Sequence, residues 1–495
     1  MHFRQAKIQG NFKYADFSGR RDGIMKKTKS IRKILASFMV LCVGLSAVSL
    51  SACDSKNSSE NKLNSASKVD TSGVREIYYL NFKPEIADKY EAVSREYEKK
   101  TGIKVKIETA AEGTYENVLT EKIKNSITAP TIFQLNGPVS YEKWKSFCAD
   151  LSETEFYNTL SDKTLALKDR TGVYGIPYTI EGYGIIYNKA ITDKYFASDK
   201  KSSKYGSMDE INSFDKLKEL VEDMTKLKKE IGIKGVFGST SLKKGQDWRW
   251  QTHLMNMPLY YEFGRGSSSA IINCFHSAEL EFSYADNYKN IFDLYIDNSC
   301  TDKSSLGSKT VDDSMKEFAL GEVAMVQNGN WAWDSIAGIK GNTVKAENIK
   351  YLPIYTGVEN EEKQGICIGT ENYFAINAHV DLARQQAAVN FLEWLFSDSY
   401  GKKAVINELG FIAPFTTFID AEKPKNPLAK EVLSWMNRED IQNVSWVFGG
   451  VPSEEWKEAL GKDLLSYAEG DMEWKTVVEN TKSSWKEQAK IKNKK

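Results

Sequence analysis

Three short stretches of this chain place tryptophan beside amide, carboxylate and glycine residues: Asp247-Trp248-Arg249-Trp250-Gln251, Gly329-Asn330-Trp331-Ala332-Trp333 and Ser445-Trp446-Val447-Phe448-Gly449-Gly450. An indole offers a flat apolar face and a single N–H donor. Side-chain amides and carboxylates add directional hydrogen bonds. The ligand that matches both has C–H faces and hydroxyl edges, which is the chemistry of a sugar. A lone Trp is usually core, but its clustering with Asn, Gly and Gln in loops points to ligand contact. Trp394 and Trp435 lie on helical stripes and are expected in the core.

Other chemistries lack their residues. Of four His, His253, His276 and His379 stand far apart, with no paired-His helix and no Cys/His cluster, so no metal site and no cofactor is expected. No G-x-S-x-G elbow occurs. Gly307-Ser308-Lys309-Thr310 lacks the Gly-Lys adjacency of a phosphate-binding loop and reads as an ordinary turn. Cys148, Cys274, Cys300 and Cys367 show no metal spacing, and a bridge between Cys274 and Cys300 stays open. Two carboxylates suffice for glycoside hydrolysis, so a cell-surface hydrolase stands as an alternative. No catalytic residue is singled out.

The elements that must carry these residues alternate in type. Glu76–Leu80 reads as a strand, and Ile86, Tyr90, Val93 and Tyr97 then share one helical face that Gly102 ends. Val105–Glu108 is a strand, Tyr115–Ser126 a helix and Thr131–Leu135 a strand, the rhythm of parallel βαβ units. Ligands meet such sheets at the loops leaving the strand C-termini, here 81–85, 111–115 and 136–138. Further strands are expected at 235–237, 323–326, 349–353 and 373–376. Helices are expected at 214–228, 287–298, 311–320, 382–396 and 453–469. The fold class is α/β.

Composition sets the outer limits. With 495 residues, 41% hydrophobic and 12% aromatic, the chain is folded and needs two to four lobes. Beyond residue 52 it carries 57 basic and 65 acidic residues, which offers no phosphate-tracking surface, so nucleic acid is not an expected partner. The front differs. Met25 is followed by five basic residues up to Lys33, the apolar run Ile34–Leu50 and then Ser51-Ala52-Cys53, the layout of a secretory signal peptide. Residues 1–24 read as an over-called extension and 25–52 as the signal. From 53 to 73 a Ser/Asn-rich stretch reads as a flexible tether.

Several motifs resemble one family. The end of 25–52 with Cys53 resembles the lipobox of bacterial lipoproteins. Ala324-Met325-Val326-Gln327-Asn328-Gly329-Asn330-Trp331-Ala332-Trp333 resembles a segment of maltose-binding protein and its relatives, the extracellular solute-binding proteins of carbohydrate ABC importers. Tyr178 to Asn188 resembles that family's first interlobe crossing, Leu352-Pro353 and Gly369–Ile376 its return, and Leu409–Pro414 its turn after a helix. The resemblance runs from about Glu76 to Trp485.

It implies a two-lobed periplasmic-binding-protein-like fold of type II, with the ligand in a cleft between lobes joined by crossing strands. Lobe I would comprise 74–182 and 369–427, and lobe II 183–368 and 428–488. Trp331 would stack on sugar, with Trp333 packed behind it. Trp446 or Phe448 would add a second aromatic face, and Glu181 would accept hydroxyl bonds near the hinge. Asn81, Lys83 and Glu85, then Glu112, Gln134 and Asn136, would line the strand-end loops of lobe I. Trp248, Arg249 and Asn372 complete the expected set. The implied protein is a monomer anchored to the outer membrane face by lipid on Cys53. It would pass a sugar or oligosaccharide to the permease of an ABC importer. The stretch at Trp248-Arg249 departs from the maltose protein, and capture of a phosphorylated polyol by Arg249 or Lys83 is the alternative.

Overall fold

The computed structural model describes residues 63, 69–111, 113–125, 128–265, 270–419 and 421–492. Cys53, the signal segment, the extension before it and Glu112 lie outside the described residues. Strands are β1 Glu76–Asn81, β2 Lys104–Thr109, β3 Ile132–Leu135, β4 Leu167–Lys168, β5 Val173–Pro177 and β6 Glu181–Asn188. They continue as β7 Gly235–Phe237, β8 Val323–Gly329, β9 Ile349–Leu352, β10 Gln364–Gly369, β11 Tyr373–Ile376 and β12 Gln442–Ser445.

They form two sheets. One has the order β2-β1-β3-β11-β5-β4, the other β12-β10-β6-β8-β7 with β9 also on β6. Where strands alternate with helices the pairing is parallel, as for β1 with β2 and β3 and β7 with β8. The strands that carry the chain between sheets break this pattern. β11 runs antiparallel to β3 and β5, and β6 antiparallel to β8, β9 and β10. A strand that leaves one lobe and enters the next has no covering helix to reverse it, so it joins the second sheet in the opposite sense.

Alternation along each strand divides the core in two. On β1, Ile77 and Tyr79 enter one cluster of the first lobe, while Tyr78 and Leu80 enter the cluster on its other face. On β6, Tyr183, Ile185 and Tyr187 face one cluster of the second lobe and Ile186 the other. Helices cover both faces. The helix Ala87–Thr101 buries Tyr90, Val93 and Tyr97 and ends at Gly102, whose φ of 76° closes its last turn. The expected helices appear with ends shifted by at most four residues, and Ser453 caps Glu454–Glu469 rather than belonging to it.

Two expectations are corrected, and the open question of a Cys274–Cys300 bridge is answered. Trp394 is buried, but Trp435 is only half-buried and lies under the Arg438 guanidinium at 4.6 Å. Cys274 and Cys300 are free thiols in separate clusters. Leu63, inside the segment read as a tether, is buried in the first lobe's core beside Ile77 and Val74.

The chain crosses between lobes at 178–180, at 370–372 and between Phe411 and Pro427. These crossings are bonded side by side. Tyr178 N–H donates to the Asn372 carbonyl at 3.1 Å, and Ile180 N–H to the Ile412 carbonyl at 2.8 Å. The lobes also touch across the cleft. A Cβ built on Gly113 of the first lobe would lie 2.7 Å from the Gly245 carbonyl of the second. Lys89 and Asp334 form an ion pair of 2.5 Å between them.

Candidate ligand-binding cleft

Three crossings and two facing loop sets bring residues more than 250 positions apart into one place. On the first lobe, Asn81 ends β1 and turns the chain back. Its Nδ2 donates to the Lys83 carbonyl at 2.8 Å and its Oδ1 accepts from Lys83 N–H at 3.1 Å. This turn aims Lys83 across the cleft, where Nζ meets Glu181 at 2.8 Å and Glu85 at 3.5 Å. Glu181 opens β6, and its second oxygen accepts from Asn372 Nδ2 at 2.6 Å. Burial opposes the Lys83 charge, but Glu181 and Glu85 outweigh it and hold the ammonium firmly protonated. Glu85 is pushed up by burial against the pull of Lys83.

Asn81 and Gln134, expected to line the loops, have their side chains bonded within the first lobe. Both are fully buried. Gln134 Oε1 accepts from Tyr79 Oη at 3.2 Å and from the Phe82 N–H, while its Nε2 meets Tyr178 Oη. Their amides shape the loop that presents Lys83. Asn136 differs, because its Oδ1 is buried with no hydrogen-bond partner among the described residues. Asn372 is a support for Glu181, and its Oδ1 accepts from Tyr178 Oη at 3.2 Å.

The second lobe contributes an aromatic box. Trp331 follows β8, where Asn330 is locked to the start of β6: Gly182 N–H donates to its Oδ1 at 2.9 Å. The indole then folds back over Gly329, where a Cβ would fall 2.1 Å from the ring. Trp446 follows β12 and lies the same way over Gly369, at 2.5 Å from a built Cβ. Only glycine leaves room for either ring. Asn256 fixes the next turn by accepting from Val447 and Phe448 N–H at 2.6 and 3.1 Å.

His253 stands at the centre. Its ring stacks on Tyr183 at 4.2 Å and lies 4.7 Å from Trp248, 5.3 Å from both Trp331 and Phe448 and 6.0 Å from Trp446. Burial, then Arg249 and Lys457, keep it neutral well below the usual histidine range. A π-helical turn, Arg249–Leu254, carries it. Such turns concentrate at functional sites. Arg249 Nε donates to Asn328 Oδ1 at 3.2 Å, and its guanidinium lies 3.8 Å over the Trp248 ring.

Two features set the box apart from an ordinary core. The indole N–H groups of Trp331 and Trp446 are buried without a partner among the described residues, an expensive state unless a ligand bonds them. Opposite stands Glu371, next to Asn372 on the second crossing, where burial pushes its carboxyl up to about 7 against the pull of Lys457. Trp333 corrects the expectation that it packs behind Trp331. It joins the cluster around Ile336 on the other side of the second sheet, whereas Trp331 joins the box.

Sequence reasoning missed His253, Asn256 and Glu371. The sequence signal for His253 is its place four residues after Arg249 in a Trp-rich stretch. Among the described residues no group of His, Cys, Asp and Glu is arranged to hold a metal.

No curated protein sequence matches this chain. Solved structures do. A chitin oligosaccharide binding protein superposes with a TM-score of 0.64 at 17% identity over 84% of this chain and 100% of its own. The solute-binding protein RafE in complex with raffinose gives 0.62 at 17% identity over 84% and 99%. A sugar transporter protein from Bacillus licheniformis, in complex with stachyose, gives 0.61 at 16% identity over 83% and 100%. At such identities the likeness establishes the two-lobed α/β fold. The family model of bacterial extracellular solute-binding proteins matches residues 92–431, which includes strands of both sheets and all three crossings. The chain belongs to that family of bacterial extracellular solute-binding proteins.

Proposed function

We propose that this protein captures a neutral sugar or oligosaccharide between its lobes and presents it to the permease of an ABC importer. The observation that carries the reading is the aromatic box with two unbonded buried indole N–H groups, set opposite the Lys83–Glu181–Asn372 triad. Ring faces suit the C–H faces of a pyranose. The triad and Asn136 suit its hydroxyls, since each Glu181 oxygen keeps a further lone pair beyond the bond it accepts. Lobe closure would expel water and strengthen these bonds. The neighbours bound to raffinose and stachyose support the same ligand class.

Binding and release require no covalent step, so the protein acts without catalysis. Lobe I is assigned to 74–182 and 369–427 and lobe II to 183–368 and 428–488. The body works as a monomer at the outer membrane face, held by two acyl chains on Cys53, the level at which lipid anchoring becomes stable. Capture of a phosphorylated polyol is less well supported. Lys83 is engaged by two carboxylates, and Arg249 by Asn328 and the Trp248 ring. Free guanidinium forks are what phosphate capture needs.

The test is a thermal-shift and calorimetric screen of the purified protein against neutral and phosphorylated sugars, with the ligand recovered afterwards. A saturable rise in melting temperature with intact neutral sugar supports the reading. A response to phosphorylated ligands alone moves it to the polyol. Cleaved sugar makes the protein an enzyme.

A further inference from the structure

The Lys83–Glu181 pair is one link of a longer circuit of hydrogen bonds that closes on itself. Asn372 Nδ2 donates to the other Glu181 oxygen at 2.6 Å, and Tyr178 Oη donates to Asn372 Oδ1 at 3.2 Å. Gln134 Nε2 donates in turn to Tyr178 Oη, and Gln134 Oε1 accepts from Phe82 N–H. Phe82 precedes Lys83, which returns the circuit to its start. Gln134, Tyr178, Glu181 and Asn372 are all buried, so water does not replace a bond that is lost.

The two ends dictate every orientation between them. A carboxylate only accepts and a backbone N–H only donates. Glu181 therefore takes the amide nitrogen of Asn372, which leaves Asn372 Oδ1 for the tyrosine. Phe82 N–H takes Gln134 Oε1, which leaves the Gln134 nitrogen for the same tyrosine. Tyr178 accepts from one amide and donates to the other. A hydroxyl does both at once, and a phenylalanine does neither.

Tyr178 is also where the crossings meet. It lies on the first, and its N–H bonds the Asn372 carbonyl of the second at 3.1 Å. Its ring stacks on Phe374 at 4.2 Å and lies 5.1 Å from Phe411, where the third crossing begins. Being fully buried, it does not reach a ligand.

We propose that Tyr178 is a positioning residue: its hydroxyl clasps the crossings to the 82–83 loop and holds Lys83 and Glu181 in place for the ligand. The clasp rests on the cleft reading above for its ligand, but the circuit itself is tested without one.

Lys83 and Tyr178 make no bond to each other among the described residues, and substitutions at such separate sites normally add. In urea unfolding, the double variant Lys83→Met/Tyr178→Phe is expected to lower the midpoint by less than the sum of the single drops. Additive drops overturn the circuit. Isothermal titration with raffinose, maltotriose and chitotriose then tests the function. For each sugar that the wild type binds, Tyr178→Phe and Gln134→Met are each expected to weaken affinity about tenfold. Tyr97→Phe removes another buried tyrosine hydroxyl of the first lobe, outside the circuit, and is expected to bind as wild type does. Should Tyr178→Phe melt below the assay temperature, Gln134→Met takes its place in both experiments. Unchanged affinity in Tyr178→Phe and Gln134→Met overturns the positioning role and leaves the sugar reading standing. Equal loss in Tyr97→Phe also overturns it. If the wild type binds no neutral sugar, the sugar reading falls, and the urea cycle alone decides the clasp.

Discussion

The two faces of the cleft are made differently. The first lobe presents polar groups on short loops, and much of that polarity is spent internally. Asn81 and Gln134 bond the loop itself so that one ammonium, Lys83, projects. The second lobe presents rings: Trp248, His253, Trp331, Trp446 and Phe448 within about one ring width of each other. They are seated on strand ends and on a π-helical turn. Apolar faces hold a ring of sugar in place with little directionality, and hydrogen bonds choose among its hydroxyls. Neither lobe carries both functions, so the site exists only when the lobes meet.

Breaking the link between the faces should have the largest effect. Glu181→Ala leaves the buried Lys83 with only the longer 3.5 Å contact to Glu85, at a cost of up to about 3 kcal/mol in stability by urea unfolding, together with loss of sugar binding. If that variant unfolds at wild-type urea concentrations, the triad does not join the lobes. Removing one ring comes next. Trp331→Ala is expected to weaken sugar binding by about 2 kcal/mol, some thirtyfold by calorimetry, and to move the unliganded melting temperature less than Glu181→Ala does.

A pH series separates the faces more finely. Glu371 is held up to about 7 in the fold, above the ordinary carboxyl value, so the folded state binds the extra proton. Its contribution is therefore lost as pH rises from the ordinary range through about 7, and flat above. Glu371→Gln should melt higher than wild type at pH 8 and level with it at pH 4. A pH-independent difference would mean that Glu371 is not the group titrating. The smallest effect belongs to Lys89→Ala. This half-exposed interlobe pair with Asp334 is worth at most about 1 kcal/mol, so ligand dissociation should quicken no more than about fivefold.

The aromatic face was largely legible in the sequence because Trp is rare and its cluster is local. Trp331, Trp446, Phe448 and Trp248 were all marked by neighbours within a few residues. The polar face was only half legible. A sequence displays that Asn81 and Gln134 are amides but not what those amides bond, and their partners lie up to 55 positions away. Glu371 and Asn256 escaped for the same reason, since their roles depend on contacts across crossings. The antiparallel crossing strands were invisible to a βαβ rhythm. The helix Trp474–Lys492 was overlooked although its buried Trp474, Val477, Thr481, Trp485 and Ala489 recur at helical spacing.

The contact of Gly113 with Gly245 has an evolutionary consequence. Both residues have positive φ, 74° and 84°, and they meet backbone to backbone across the mouth of the cleft. Any side chain gained at Gly113 would act as a doorstop, holding the lobes apart by the width of its own carbon. Drift at this position cannot be silent: a single base change there would alter how often the protein shuts on an empty cleft before it altered any contact with sugar.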